Sequence, residues 1–219
     1  MNILVIGGGG PTGKFGRDFC DRARLEGHSV YVISHVEYNT NDPKQISADF
    51  ENPSAVISAF ATVTKELTHL DMMLYNSSIG SYPGSTSDYC STTAVSIARH
   101  YLNYNVYVLY PHLLSIQALK KMDATSKIIF LTTGLTLRTW DVNELEYNRY
   151  AGYAGGKAFQ NHLMSGLANN NDKGVTVLSI SPHFDYNNEP AYNYSLHATY
   201  DCIMQATAAD TGTIKPIHK

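Results

Sequence analysis

Two side chains near the middle of the chain have the types and spacing for proton chemistry: the phenol and the ammonium of Tyr153-Ala-Gly-Gly-Lys157. Four residues apart on a helix, they share one face and come within mutual reach. A phenol titrates near pH 10, so at neutral pH it needs a nearby cation before it can exchange a proton with a carbonyl/alcohol pair. Lowering that pKa by about two to three units takes roughly 3–4 kcal/mol of preferential stabilisation of the phenolate, to which Lys157 would contribute. Tyr147 and Tyr150 are rival phenols, although neither has a Lys four residues later.

A second chemical feature lies at the N-terminus. An apolar run, Ile3 to Ile6, leads into Gly7-Gly-Gly-Gly10-Pro11-Thr12-Gly13-Lys-Phe-Gly16 and then a helical stretch. Glycines at such a turn let backbone approach a pyrophosphate, and the helix behind them aims its free N–H groups at the negative charge. Pro11 suits a first helical turn, and the Thr12 hydroxyl can cap the helix or bond a phosphate. Two registers fit a G-x-x-G-x-x-G pattern, Gly7/Gly10/Gly13 and Gly10/Gly13/Gly16. The first is preferred because the loop should begin where the strand ends.

The tip of the second strand reports cofactor choice, since a carboxylate there binds the ribose 2'-hydroxyl of NAD. Here it reads Ser34-His35, with no acid before Glu37. That favours NADP(H) over NAD(H), with His35, Lys14 and Arg17 as candidate partners of a 2'-phosphate.

Elements that could position these groups follow from alternating apolar β-branched runs and helical stretches. Strands are predicted at Ile3–Ile6, Val30–Ser34, Gln45–Ala48, Asp71–Tyr75, Lys127–Leu131, Val175–Ser181 and Gly212–Lys215. Helices are predicted at Thr12–Glu26, Pro53–Leu67, Asp88–Met122, Tyr150–Asn170 and Tyr194–Ala209, the third broken or kinked at Pro111. The pattern predicts one α/β domain over residues 1–219, a doubly wound, mostly parallel seven-stranded sheet of the Rossmann kind.

Composition removes several alternatives. The chain has 219 residues, a net charge of -3 and no block of like charge, so it lacks the basic face that nucleic acid requires. Cys20, Cys90 and Cys202 are far apart with no C-x-x-C spacing, which indicates neither disulfides nor zinc and a reducing, cytoplasmic setting. None of His28, His35, His100, His112 and His162 has ligand spacing joined to a carboxylate, so no metal is expected. The first apolar run is too short for a membrane span.

The sequence resembles the short-chain dehydrogenase/reductase family, with a glycine loop, Gly7-x-x-Gly10-Pro11-Thr12-Gly13, similar to its atypical NmrA-like branch. Asp71-Met-Met-Leu-Tyr-Asn76 resembles the family's fourth strand and following turn, and Asn105-Val106 its helix Asn. Ile128-Ile-Phe-Leu-Thr132-Thr133 resembles the fifth strand ending at the active-site Ser. The segment from Tyr153 to Pro182 is similar to the active-site helix and sixth strand.

The resemblance implies reversible transfer of hydride between NAD(P)H and a small carbonyl or alcohol. Tyr153 would be the general acid/base, and Lys157 would lower its pKa and bind the nicotinamide ribose. Thr133 would orient the substrate oxygen and Asn105 would hold a relay water. Asp49 and Asn76 would belong to the cofactor site, and Pro182 and Phe184 would flank the nicotinamide.

Three departures accompany it. Thr stands for Ser, so Thr132 and Thr136 are alternatives to Thr133. The span from Thr133 to Tyr153, with Trp140, is long. His183 stands where Gly is usual, which leaves a non-catalytic NADP(H)-binding regulator as the other reading. A homodimer or homotetramer is expected from the family's habit, with no membrane and no nucleic-acid partner.

Overall fold

A computed structural model describes residues 1–8, 14–35, 42–77, 101–133, 145–184 and 187–217, with 145–152 described as backbone. Its strands are β1 (Asn2–Ile6), β2 (Ser29–Ser34), β3 (Gln45–Ser47), β4 (Met72–Tyr75), β5 (Lys127–Leu131), β6 (Thr176–Ser181) and β7 (Ile214–Pro216). They form one seven-stranded sheet in the order β3-β2-β1-β4-β5-β6-β7. Every pairing is parallel. Strands buried on both faces read as continuous apolar runs, and β4 and β5 are buried along their whole length.

The sequence divides these strands between two cores by its period of two. Leu4, Ile6, Met73, Tyr75, Ile128 and Phe130 face a core shared with α2 (Pro53–Glu66), α3 (Tyr110–Leu119) and α4 (Leu145–Asn170). Ile3, Val5, Met72, Leu74, Ile129 and Leu131 face the other, shared with α1 (Lys14–Leu25) and α5 (Glu189–Gln205). The result is a three-layer, doubly wound α/β fold.

Helix starts differ from expectation at two helices. Helix α5 begins at Glu189 because the Asn188 side chain accepts from the Ala191 N–H and Pro190 occupies the first turn. Helix α4 begins at Leu145, five residues before Tyr150. The break expected at Pro111 is a π-helical turn, Asn105–Leu109, just ahead of it, in which the Tyr110 N–H donates to the Asn105 carbonyl. Pro111 has no N–H to continue that pattern onto the Val106 carbonyl. The Tyr75 hydroxyl donates to that carbonyl instead, at 2.6 Å in the core.

The two helices on the α1/α5 face are tied by polar groups as well as by packing. Tyr192 donates to Asp18 and Tyr200 to Glu26, each at 2.7 Å. The Lys14 ammonium and Arg22 guanidinium lie 3.9 Å from the ring centres of Tyr192 and Tyr200. Lys14, a candidate 2'-phosphate partner, is thereby engaged by Tyr192 of α5.

Candidate functional site

Parallel pairing carries the C-terminal ends of the strands to one edge of the sheet. Ile6 pairs with Ile33 on one side and Tyr75 on the other, Tyr75 with Phe130, and Leu131 with Ile180. Gly7, His35, Asp49, Asn76, Thr133 and Pro182, chosen from six separate stretches of sequence, therefore all follow strand ends on that edge. Strand order reverses between β1 and β4, and ligands of open α/β sheets bind at such a switch point.

The turn after β1 depends on glycine for close approach. Gly7 has φ +85°, and a Cβ there would stand 2.6 Å from the Ser77 Cα. Its N–H donates to the Ile33 carbonyl at 2.8 Å. A Cβ on Gly16, two residues into α1, would fall 2.6 Å from both the Gly8 Cα and the Asn76 Nδ2. The helix thus rests directly on the strand end, the packing role of the last glycine in a dinucleotide-binding turn. Gly16 belongs to the less favoured of the two registers. Gly10, Pro11, Thr12 and Gly13 lie outside the described residues, as do Thr136 and Trp140.

Asn76 is half-buried, its N–H donating to the Ile6 carbonyl at 2.9 Å and its amide set against Gly8 and Gly16. His35 is exposed, its ring edge-on to Phe50 at 6.5 Å. Asp49 is exposed, accepts from the Glu51 N–H at 2.9 Å, and lies close enough to Tyr110 to add to burial in pushing that phenol up to about 12. Tyr110 donates to the Phe50 carbonyl at 2.7 Å. Phe184 packs on Phe15 and Tyr192, with ring centres 4.8 and 5.6 Å apart, and so joins the α1/α5 core. His183 is exposed and Pro182 half-buried.

Helix α4 packs chiefly against β6 and the π-helical turn and reaches the end of β5. Tyr153 is half-buried and meets Tyr107 of the π-helical turn edge-on, ring centres 5.9 Å apart. Lys157, one turn later, is 2% exposed. Its ammonium donates to the Leu131 carbonyl at 2.7 Å, the Gln160 Oε1 at 3.1 Å and the Ser77 carbonyl at 3.4 Å. It also stands 5.4 Å over the Tyr107 ring. Burial pushes its pKa down from 10.5 to about 7. Thr133 is half-buried just past β5, while the preceding Thr132 hydroxyl is buried with no hydrogen-bond partner among the described residues.

Sequence reasoning missed three members of this cluster. Tyr107 fills the space beneath the Tyr153/Lys157 pair, and Gly156 admits it: a Cβ there would lie 2.5 Å from the Tyr107 Cγ. Gln160 occupies a buried position on the stripe Lys157, Gln160, Asn161, Met164. The signal was available in that spacing, since a polar residue on the inward face of a helix needs a partner. Among the described residues no group of His, Cys, Asp and Glu could hold a metal ion.

The architecture is that of short-chain dehydrogenase/reductase structures. An oxidoreductase of that family from Brucella ovis, in complex with a partially ordered NAD, superposes with a TM-score of 0.76 at 19% identity, covering 99% of each chain. A short-chain dehydrogenase from Burkholderia cenocepacia in complex with NADP gives 0.72 at 20%, covering 98% of this chain and 95% of that one. A short-chain dehydrogenase/reductase from Serratia marcescens gives 0.72 at 21%, covering 99% and 95%. No protein-family model and no curated protein matches the sequence. At these identities the likeness is one of fold.

Proposed function

We propose that the chain is an NAD(P)-dependent oxidoreductase of the short-chain dehydrogenase/reductase type, acting on a small carbonyl or alcohol. The observation that carries this reading is the placing of Tyr153 and Lys157 on the helix that reaches the end of β5, beside the switch point where the glycine turn opens. The close helix–strand approach at Gly7, Gly8 and Gly16 suits a dinucleotide pyrophosphate. A bound nicotinamide would supply or accept the hydride.

The chain's own residues handle the rest. Tyr153 gives a proton to the substrate oxygen in reduction and removes it in oxidation. Lys157 favours the phenolate and binds the ribose, Thr133 orients the substrate oxygen, and Asn105 holds a relay water. Gly7, Gly10, Pro11, Thr12, Gly13, Asp49, Asn76, Pro182 and Phe184 form the cofactor site. The exposed His35, with no acid in the sequence between Ser34 and Glu37, favours NADP(H). Structural neighbours in complex with NAD and with NADP support the cofactor class.

No helix among the described residues is long and apolar enough to cross a membrane, and a cytoplasmic setting fits the cysteine pattern. Tyr101, Tyr104, Ile116 and Phe159 are exposed apolar side chains on the π-turn segment, α3 and α4. They support a homo-oligomer.

The test compares wild type with Tyr153→Phe for nicotinamide-cofactor binding and for turnover on a panel of carbonyls. The variant is expected to bind cofactor as wild type does and to lose turnover by about 10²–10⁴-fold. Equal turnover would overturn the catalytic assignment, and no cofactor binding by wild type would overturn the whole reading. The engagement of Lys157 with backbone carbonyls, together with His183 after β6, favours a second reading, a regulator that binds NADP(H) without turnover. Tight binding by wild type with no turnover would select it.

A further inference from the structure

We infer that Gln160 is a positioning residue that sets where the Lys157 side chain lies and whether it is charged. Its consequence for turnover rests on the oxidoreductase reading; its effect on Lys157 does not. Gln160 lies three residues after Lys157 on α4 and is fully buried. That position belongs to the inward stripe, where Met164 is also fully buried and where an apolar side chain would satisfy packing.

Its Oε1 accepts from the Lys157 ammonium at 3.1 Å, while its Nε2 is buried with no hydrogen-bond partner among the described residues. A buried amide with an unsatisfied donor is poor packing material. The acceptor end is the part that finds a use.

The groups facing the ammonium come from four places. They are the Leu131 carbonyl from β5, the Ser77 carbonyl after β4, the Tyr107 ring from the π-helical turn, and Gln160 from α4 itself. Among the described residues no carboxylate stands with them, and the acceptors that offset the loss of water around the charge are neutral. The two carbonyls are backbone groups and do not vary with side-chain identity. Gln160 is the side-chain acceptor, and it can be exchanged.

Removing it withdraws support from the charged form, and replacing it with a carboxylate adds support. The direction of each change follows from hydrogen bonding and Coulomb attraction to the protonated amine. A residue that merely filled space would not move Lys157 in opposite directions in two variants of similar size.

The experiment titrates Lys157 in the cofactor-free full chain by 1H–13C NMR with label at lysine Cε, its resonance assigned by its loss in Lys157→Met. The midpoint is expected to fall by about one pH unit in Gln160→Met and to rise by about one or more in Gln160→Glu. Midpoints that stay with wild type in both variants would overturn the inference, and so would a shift of the same sign in both. Should Gln160→Met fail to fold, the sign of the Gln160→Glu shift decides alone.

The pH profile of turnover is measured in parallel. The limb that follows Lys157 is expected to move with the NMR midpoint, with cofactor KM changed by less than about threefold. Midpoints that move while the profile stays fixed would overturn the role in the reaction and leave the effect on Lys157 standing. A wild type without turnover would fail the oxidoreductase reading instead, with the NMR result still deciding what Gln160 does.

Discussion

Lys157 carries opposing demands, because a buried ammonium costs stability while the proposed chemistry needs its charge. With its pKa brought down to about 7 by burial, the folded chain binds fewer protons than the unfolded chain between about pH 7 and 10.5, so burial is most costly below pH 7 and the cost fades as pH rises. A pKa lower by one in the folded chain corresponds to about 1.4 kcal/mol, and leaving the Leu131 carbonyl unpaired returns about 1–3 kcal/mol. Lys157→Met is therefore expected to stabilise the fold by about 2–4 kcal/mol at pH 6, with the difference shrinking above neutrality, as measured by urea unfolding at several pH values. A variant less stable than wild type at pH 6 would contradict this account. Gly156 belongs to the same scale. With Tyr107 only 2.5 Å from a Cβ placed there, Gly156→Ala should cost about 1–3 kcal/mol through overpacking and lower turnover by displacing the ring beneath Tyr153.

The π-helical turn is the element in which local sequence and tertiary contact meet. Pro111 removes the N–H that the Val106 carbonyl would otherwise accept, and Tyr75, from the neighbouring strand end, supplies a hydroxyl at 2.6 Å. Burial holds the Tyr75 phenol well above its ordinary range, so it remains a donor at any pH the fold survives. Tyr75→Phe would leave the carbonyl unpaired and cost about 1–3 kcal/mol. In Pro111→Ala, which restores a backbone donor, the same substitution should cost less; a double-mutant cycle with additive effects would refute the link. At the opposite end of β5, Lys127 donates to the carbonyls of Ile203, Met204 and Ala206 at 2.9–3.3 Å, closing the C-terminus of α5.

At the scale of the whole molecule, paired surface carboxylates give the fold a dependence on acid. Glu26 is held below its ordinary range chiefly by the Tyr200 hydroxyl, Asp123 by the Thr125 hydroxyl and N–H, and Asp210 by Lys215 and the Thr207 N–H. A depressed folded pKa contributes stability above the unfolded pKa and loses it as pH falls through the folded value. Urea midpoints should thus fall as pH drops below about 5, and Glu26→Gln combined with Asp210→Asn should flatten that slope. Glu26 and Asp210 follow the C-terminal ends of α1 and α5, so loosening of this layer should begin at that end. Hydrogen exchange in α1 and α5 rising ahead of α2 and α3 at pH 4 would show it.

Periodicity and punctuation in the chain determined the class of the fold. Apolar runs of strand length, the glycine cluster after Ile6 and the helical stretches between them place all seven strands within about two residues of their positions, because buried parallel strands need continuous apolar side chains. Spacing also put Tyr153 and Lys157 on one helical face. The tertiary structure decided what surrounds that face. Whether Lys157 is charged depends on carbonyls of Ser77 and Leu131, eighty and twenty-six residues away. Gly156 matters only because Tyr107 arrives from another helix, and Lys14 is drawn to Tyr192 by a helix near the C-terminus. Local pattern reports which face a residue turns to the core. The dielectric, the hydrogen-bond partners and the room available there come from segments that meet only on folding.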